Sequence, residues 1–216
     1  MRYDLIVFDW DGTLLDSAAL IAETLSVACT RMGLPAPPEE HARHVIGMGM
    51  LEALRYVAPV LPHEKLPELF EHYRAYYLPR EHQLKPFDGV AELLQGLDSA
   101  GHLLAVATGK PRVGLERGFV ATGFKPHFVA SRCADESRPK PDPDMLLQLM
   151  EVTGSVPQRT LMIGDTSHDL MMAHHAGVDA LAVAYGAQPR AFLEQHPALG
   201  VVDSVSELVR WLGAKG

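Results

Sequence analysis

Three short apolar runs end abruptly in residues that carry chemistry. Leu5-Ile6-Val7-Phe8 runs into Asp9-Trp10-Asp11-Gly12-Thr13. Leu103 to Ala107 runs into Thr108-Gly109-Lys110, and Leu161-Met162-Ile163 into Gly164-Asp165-Thr166-Ser167-His168-Asp169. Unbroken apolar runs of this length suit strands buried on both faces. Phe128-Val129-Ala130 and Ala180 to Val183 read the same way. Helical stripes lie between them: Val90, Leu93, Leu94 and Leu97; then Met145, Leu146, Leu149 and Met150; and finally Leu208, Val209 and Leu212. Strand–helix alternation over residues 86–216 predicts a parallel sheet with helices on both faces. Ligands of such sheets bind beyond the carboxyl ends of the strands, so the three reactive termini are expected in one crevice.

Residues 16–85 break the alternation. Ile21, Leu25, Ala28 and Met32 share one helical face; Leu66, Leu69, Phe70, Tyr73 and Tyr77 form another stripe. Prolines at 35, 37, 38, 59, 62, 67 and 79 punctuate the segment. It reads as a helical insertion after the first strand, giving a core of residues 1–15 and 86–216 and a smaller helical domain of residues 16–85.

Composition excludes several function classes. Nineteen basic against 27 acidic residues give a net charge of −8, which disfavours nucleic acid and anionic membrane surfaces. No stretch approaches the roughly 18 apolar residues of a membrane span, and no signal peptide is visible, so a cytoplasmic protein is expected. Cys29 and Cys133 are expected as reduced thiols.

Asp9 and Asp11 sit at i and i+2, which in an extended segment places both carboxylates on one side. Such a pair needs a cation between its members; a solvated Asp-Gly turn is the alternative. Asp165 and Asp169 are four apart and share a face if a helix starts there; a helix cap with a first-turn acid is the alternative. Four carboxylates in one crevice call for a hard cation on oxygen ligands, such as magnesium. The eleven histidines and two cysteines show no zinc spacing. Thr108 can hold an anion at a strand end, and Lys140 lies in the stiff stretch Arg138-Pro139-Lys140-Pro141-Asp142-Pro143.

Asp9-x-Asp11-Gly12-Thr13, Thr108, Lys140, and Gly164-Asp165 with Asp169 together resemble, in order, the four motifs of the haloacid dehalogenase superfamily. The resemblance covers nearly the whole chain. Asp16-Ser17, Gly47-Met48-Gly49 and Cys133-Ala134-Asp135-Glu136 resemble its phosphoglycolate phosphatase-like branch, in a bacterial subgroup. It implies a Rossmann-like core with a helical cap inserted after the first strand.

It also implies a magnesium-dependent phosphatase of a small phosphorylated metabolite. Asp9 is then the nucleophile and Asp11 the general acid and base. Thr108, Gly109 and Lys140 bind the phosphate. Asp9, the Asp11 carbonyl, Asp165 and Asp169 form the metal site. Gly47, Met48 and Gly49 form the specificity loop. Arg43, Arg55 and Arg112 are candidates for a substrate carboxylate. Gly109 stands where many relatives carry Asn. A phosphoryl-transferring mutase and a non-catalytic binding protein are the alternatives; a monomer and a homodimer are both open.

Overall fold

The structure, a computed structural model, describes residues 2–215. Six parallel strands form one sheet in the order β3-β2-β1-β4-β5-β6. They are β1 (Leu5–Phe8), β2 (Leu103–Thr108), β3 (Phe128–Cys133), β4 (Thr160–Gly164), β5 (Asp179–Val183) and β6 (Val201–Val202). The helices are α1 (Ala18–Arg31), α2 (Glu39–His44), α3 (Met50–Val57), α4 (Leu66–Tyr77) and α5 (Val90–Ser99), then α6 (Arg112–Thr122), α7 (Asp144–Thr153), α8 (Ser167–Ala176), α9 (Arg190–Leu193) and α10 (Val205–Lys215).

Alternate strand residues feed two cores, as the two-residue period of a strand dictates. Ile6, Phe8, Leu104, Val106, Leu161 and Ile163 pack with α5, α6 and α10. Leu5, Val7, Ala105, Ala107 and Met162 pack with α7 and α8 on the other face. Central strands covered on both faces have no polar positions to spare, which is why their sequences read as unbroken apolar runs. β3 is different. It is an edge strand, only partly buried, with Val129 57% exposed. The expected two-faced burial of residues 128–130 therefore does not hold: β3 has a strand partner on one side only.

The helices α1 to α4, between β1 and β2, share a core of their own around Leu25, Cys29, Leu54, Leu69 and Tyr73. The chain leaves and returns side by side: the Asp16 amide donates to the Lys85 carbonyl at 2.9 Å, and Leu15 bridges Pro86 antiparallel. Cys29 and Cys133 are buried in different clusters and unpaired. Among the described residues no helix is long and apolar enough to cross a membrane.

Trp10 anchors the turn after β1. Its ring is fully buried and meets Phe119 edge to face at 5.2 Å. The Gly118 backbone of α6 presses on the same indole, so a Cβ there would stand 2.9 Å from the ring. Gly118→Val is expected to cost about 1–3 kcal/mol by overpacking. Chemical denaturation checks this, with Gly96→Val, where a Cβ meets nothing within 4 Å, as the exposed-helix control.

Candidate active site

The strand order places β1 between β2 and β4, at the point where successive connections run in opposite directions along the sheet. Asp9, Thr108 and Asp165 follow or end these three neighbours, so residues more than 150 positions apart meet at one edge. Asp9 is held there by its amide, which donates to the Ile163 carbonyl at 2.9 Å.

Asp9, Asp165 and Asp169 are all buried, and each offers an oxygen within 4.8 Å of the others. One ammonium answers them: Lys140, itself buried, donates to Asp9 Oδ1 and to Asp169 Oδ1, both at 2.6 Å. Asp169 Oδ2 accepts from the Thr166 amide and hydroxyl in a capping box that opens α8. Asp169 is thus both the capping acid and a member of the acidic cluster. Asp165 accepts from the Thr13 hydroxyl at 2.8 Å and the Ala187 amide at 2.7 Å. Gly12, at φ +88°, leaves the room that the Asp165 carboxylate fills. Among the described residues Asp9 Oδ2 has no hydrogen-bond partner.

The charges are unbalanced. Burial raises Asp9 well above the ordinary carboxylate range; Lys140 pulls it down, and Asp169 and Asp165 push it up again. Burial, then Asp169, pushes Asp165 up to about 7, against the pull of the Ala187 and Thr13 hydrogen bonds. Burial alone would lower the Lys140 ammonium, but Asp169 and Asp9 more than offset it and hold it above the usual lysine range. An oxygen-only donor set and three acids against one ammonium fit a hard divalent cation.

The Asp11 carboxylate has hydrogen-bond partners of its own. It accepts from Lys110 Nζ at 3.1 and 3.3 Å and from Ser17 Oγ at 2.8 Å. Asp9 and Asp11 line the same chamber, but each has its own cation: Lys140 for Asp9 and Lys110 for Asp11. Lys110 also donates to the Tyr77 hydroxyl at 3.0 Å. Burial would lower it, but Asp11, Tyr77 and Tyr73 hold it above the usual lysine range. It is a second buried cation that sequence reasoning placed only in a motif. Its lone signal was the basic residue two positions after Thr108. Ser17 was likewise legible only as part of Asp16-Ser17, and Tyr73 and Tyr77 only as a helical stripe.

A chamber of about 450 Å³ opens on Asp9, Asp11, Thr108, Gly109 and Lys110, and Gly47 and Met48 also line it. A Cβ on Gly109 would run into the carbonyls of Gly47 and Met48. The glycine in place of Asn is thus a steric consequence of the loop that lies on it. Gly49 does not line the chamber; it precedes α3. Arg43, Arg55 and Arg112 do not line it either. Arg112 is held by Glu136 at 2.6 Å and Ser131 at 2.7 Å, and Arg43 by Glu39 at 2.9 Å.

Residues 6–183 match the family model described as haloacid dehalogenase-like hydrolase. The chain belongs to this family. It is 34% identical to tyrosine-protein kinase PtkA of Mycobacterium tuberculosis, over 97% of this chain and 72% of that protein. It is 30% identical to a phosphoglycolate phosphatase of Agrobacterium fabrum, over 94% of this chain and 90% of that one. The fold matches a hydrolase from Pseudomonas syringae with a TM-score of 0.88, at 24% identity and 99% coverage of both chains. The expected family, its phosphoglycolate phosphatase-like branch and its Rossmann-like sheet therefore stand, and the chain is a phosphoric monoester hydrolase.

Two predictions follow from the charges. The raised Asp165 favours the protonated folded state below about pH 4, and that stability is lost as pH rises through about 7. Protons and cation therefore compete. Magnesium should raise the melting temperature more at pH 8 than at pH 5; equal gains would contradict the shift. Lys110→Met, which strips Asp11 of its counter-ion, should lower kcat for phosphate release by about tenfold or more, up to the ~10²–10⁴-fold worth of an acid–base group. Steady-state rates at matched folded fraction test it.

Proposed function

We propose that the chain hydrolyses the phosphate monoester of a small metabolite with magnesium, through an aspartyl-phosphate, an acyl phosphate, on Asp9. The observation that carries this is the Asp9 carboxylate: it lines the chamber, Lys140 fixes Oδ1, and Oδ2 is free. A nucleophile must have an oxygen that nothing else holds, in a fixed orientation.

Asp9, Asp165 and the Asp11 carbonyl would hold the ion, with Asp169 supporting them. Bound there, magnesium supplies positive charge for binding the phosphate dianion and for charge that develops in transfer.

Asp9 Oδ2 attacks phosphorus, and the bond from phosphorus to the leaving oxygen breaks. The Asp11 carboxyl gives its proton to that oxygen, releasing the alcohol. Asp11 then takes a proton from water, whose oxygen attacks phosphorus and frees Asp9. Lys110 and Ser17 keep the Asp11 carboxyl beside the chamber for both steps. Thr108, whose oxygen accepts from the Lys110 amide at 3.1 Å, keeps its hydroxyl proton for a phosphoryl oxygen. Lys140 holds Asp9 in place and shares in neutralising the transferred group. Residues 16–85 act as the cap, with Gly47 and Met48 pressed on Gly109 to shut out water.

Hydrolysis of an aryl phosphate tests the reading. Wild type should turn over with magnesium and stop with chelator, and Asp9→Ala should be inactive under both conditions. Equal rates for wild type and Asp9→Ala would overturn it.

A further inference from the structure

The chamber over Asp9 is larger and less polar than a two-carbon acid requires. Its volume of about 450 Å³ is threefold the ~150 Å³ of an apolar cavity that takes up benzene. Above the polar floor its walls are Ile21 and Leu25 of α1, Met48, Phe70 and Tyr73 of α4, and Val113 of α6. Phe70, Tyr73 and Tyr77 lie nearly parallel along α4, with interplanar angles of 17° and 13° and centroids 6.5 and 5.5 Å apart. Such a row offers a flat ring an edge or a face to pack on.

The charges agree. Three basic side chains line the chamber, and each already has an acid. Lys110 is paired with Asp11 at 3.1 Å, Arg74 with Glu71 at 3.0 Å, and Arg117 with Glu81 at 2.6 Å. A second anionic group on the substrate would lose its hydration against apolar walls and find no uncompensated cation there.

From this we infer, building on the phosphatase reading, that the substrate is a phosphate monoester of an uncharged alcohol that carries an aromatic ring. The phosphate meets the polar floor, and the ring lies along the α4 row. Selectivity then comes from burying the ring, a gain of one to two orders of magnitude for an aromatic side chain.

The test compares kcat/KM of the full chain with magnesium for 2-phenylethyl phosphate, hexyl phosphate, glycerol 3-phosphate and phosphoglycolate. All four are alkyl esters that lose a primary alcohol, so their intrinsic reactivities are close. Acetyl phosphate, which needs no cap contacts, reports on the transfer machinery alone. The aromatic ester is expected to exceed phosphoglycolate and glycerol 3-phosphate by about tenfold or more, and hexyl phosphate by a smaller margin. Phosphoglycolate equal to or better than the aromatic ester would overturn the inference. So would hexyl phosphate equal to it, or turnover of acetyl phosphate with none of the four esters; in each case the phosphatase reading would stand. Acetyl phosphate turned over no faster by wild type than by Asp9→Ala would remove that reading, and the inference with it. Ile21→Lys, which adds a cation to a half-buried wall position, should shift the ratio at least tenfold from the aromatic ester towards phosphoglycolate. An unchanged ratio in the folded variant would contradict an apolar wall as the selecting element.

Discussion

One buried ammonium faces three buried carboxylates, and much of the architecture serves to make that tolerable. Lys140 reaches Asp9 and Asp169 at 2.6 Å each, with its own side chain fully buried. Burying one ion pair is close to break-even at best, and two further charges make the arrangement costly. Hydrogen bonds from Thr13, Ala187 and Thr166 spread part of that load. What remains is an oxygen-only acidic cluster of a donor type that could hold a divalent cation. The strain of the site and its affinity for a cation are thus one property.

The sheet supplies the rigidity this requires. Asp9, Thr108 and Asp165 stand at the ends of adjacent strands whose backbones are bonded in register, Leu5 through Phe8 between Leu103 through Val106 and Thr160 through Ile163. Side chains carried on such a frame hold their separations far better than loop residues would. The helical insertion is tied to the same frame at its base, by the Asp16–Lys85 hydrogen bond and the Leu15–Pro86 bridge. The chamber therefore has a fixed polar floor and a wall hung from a narrow neck. That division suits an enzyme whose bond-breaking chemistry is constant and whose leaving group is chosen elsewhere.

Much of this was legible in the chain. Central strands announce themselves by apolar runs, and the acids at their ends follow from the rule that parallel sheets bind ligands there. The long amphipathic helices α1, α4, α5, α7 and α10 show their period. The short helices α2 and α3 and the two-residue β6 do not, since one or two turns, or one pair of residues, carry too little periodicity. α6 hides behind Gly114 and Gly118, poor helix formers placed where side chains would collide with Lys110 and Trp10. The pairing of Asp11 with Lys110 joins residues 99 apart, which no local spacing rule reaches. Gly109 answers to the Gly47-Met48 loop that lies on it, a contact between distant residues that no local pattern encodes.

In the proposed mechanism Asp9 carries the phosphoryl group during turnover. Acid quenching of the working enzyme with acetyl phosphate and magnesium, followed by peptide mass analysis, tests it most directly. One phosphate is expected on the peptide that contains Asp9, lost when the same peptide is treated with hydroxylamine. A phosphate on any other residue, or turnover with no labelled peptide at times shorter than one cycle, would contradict it.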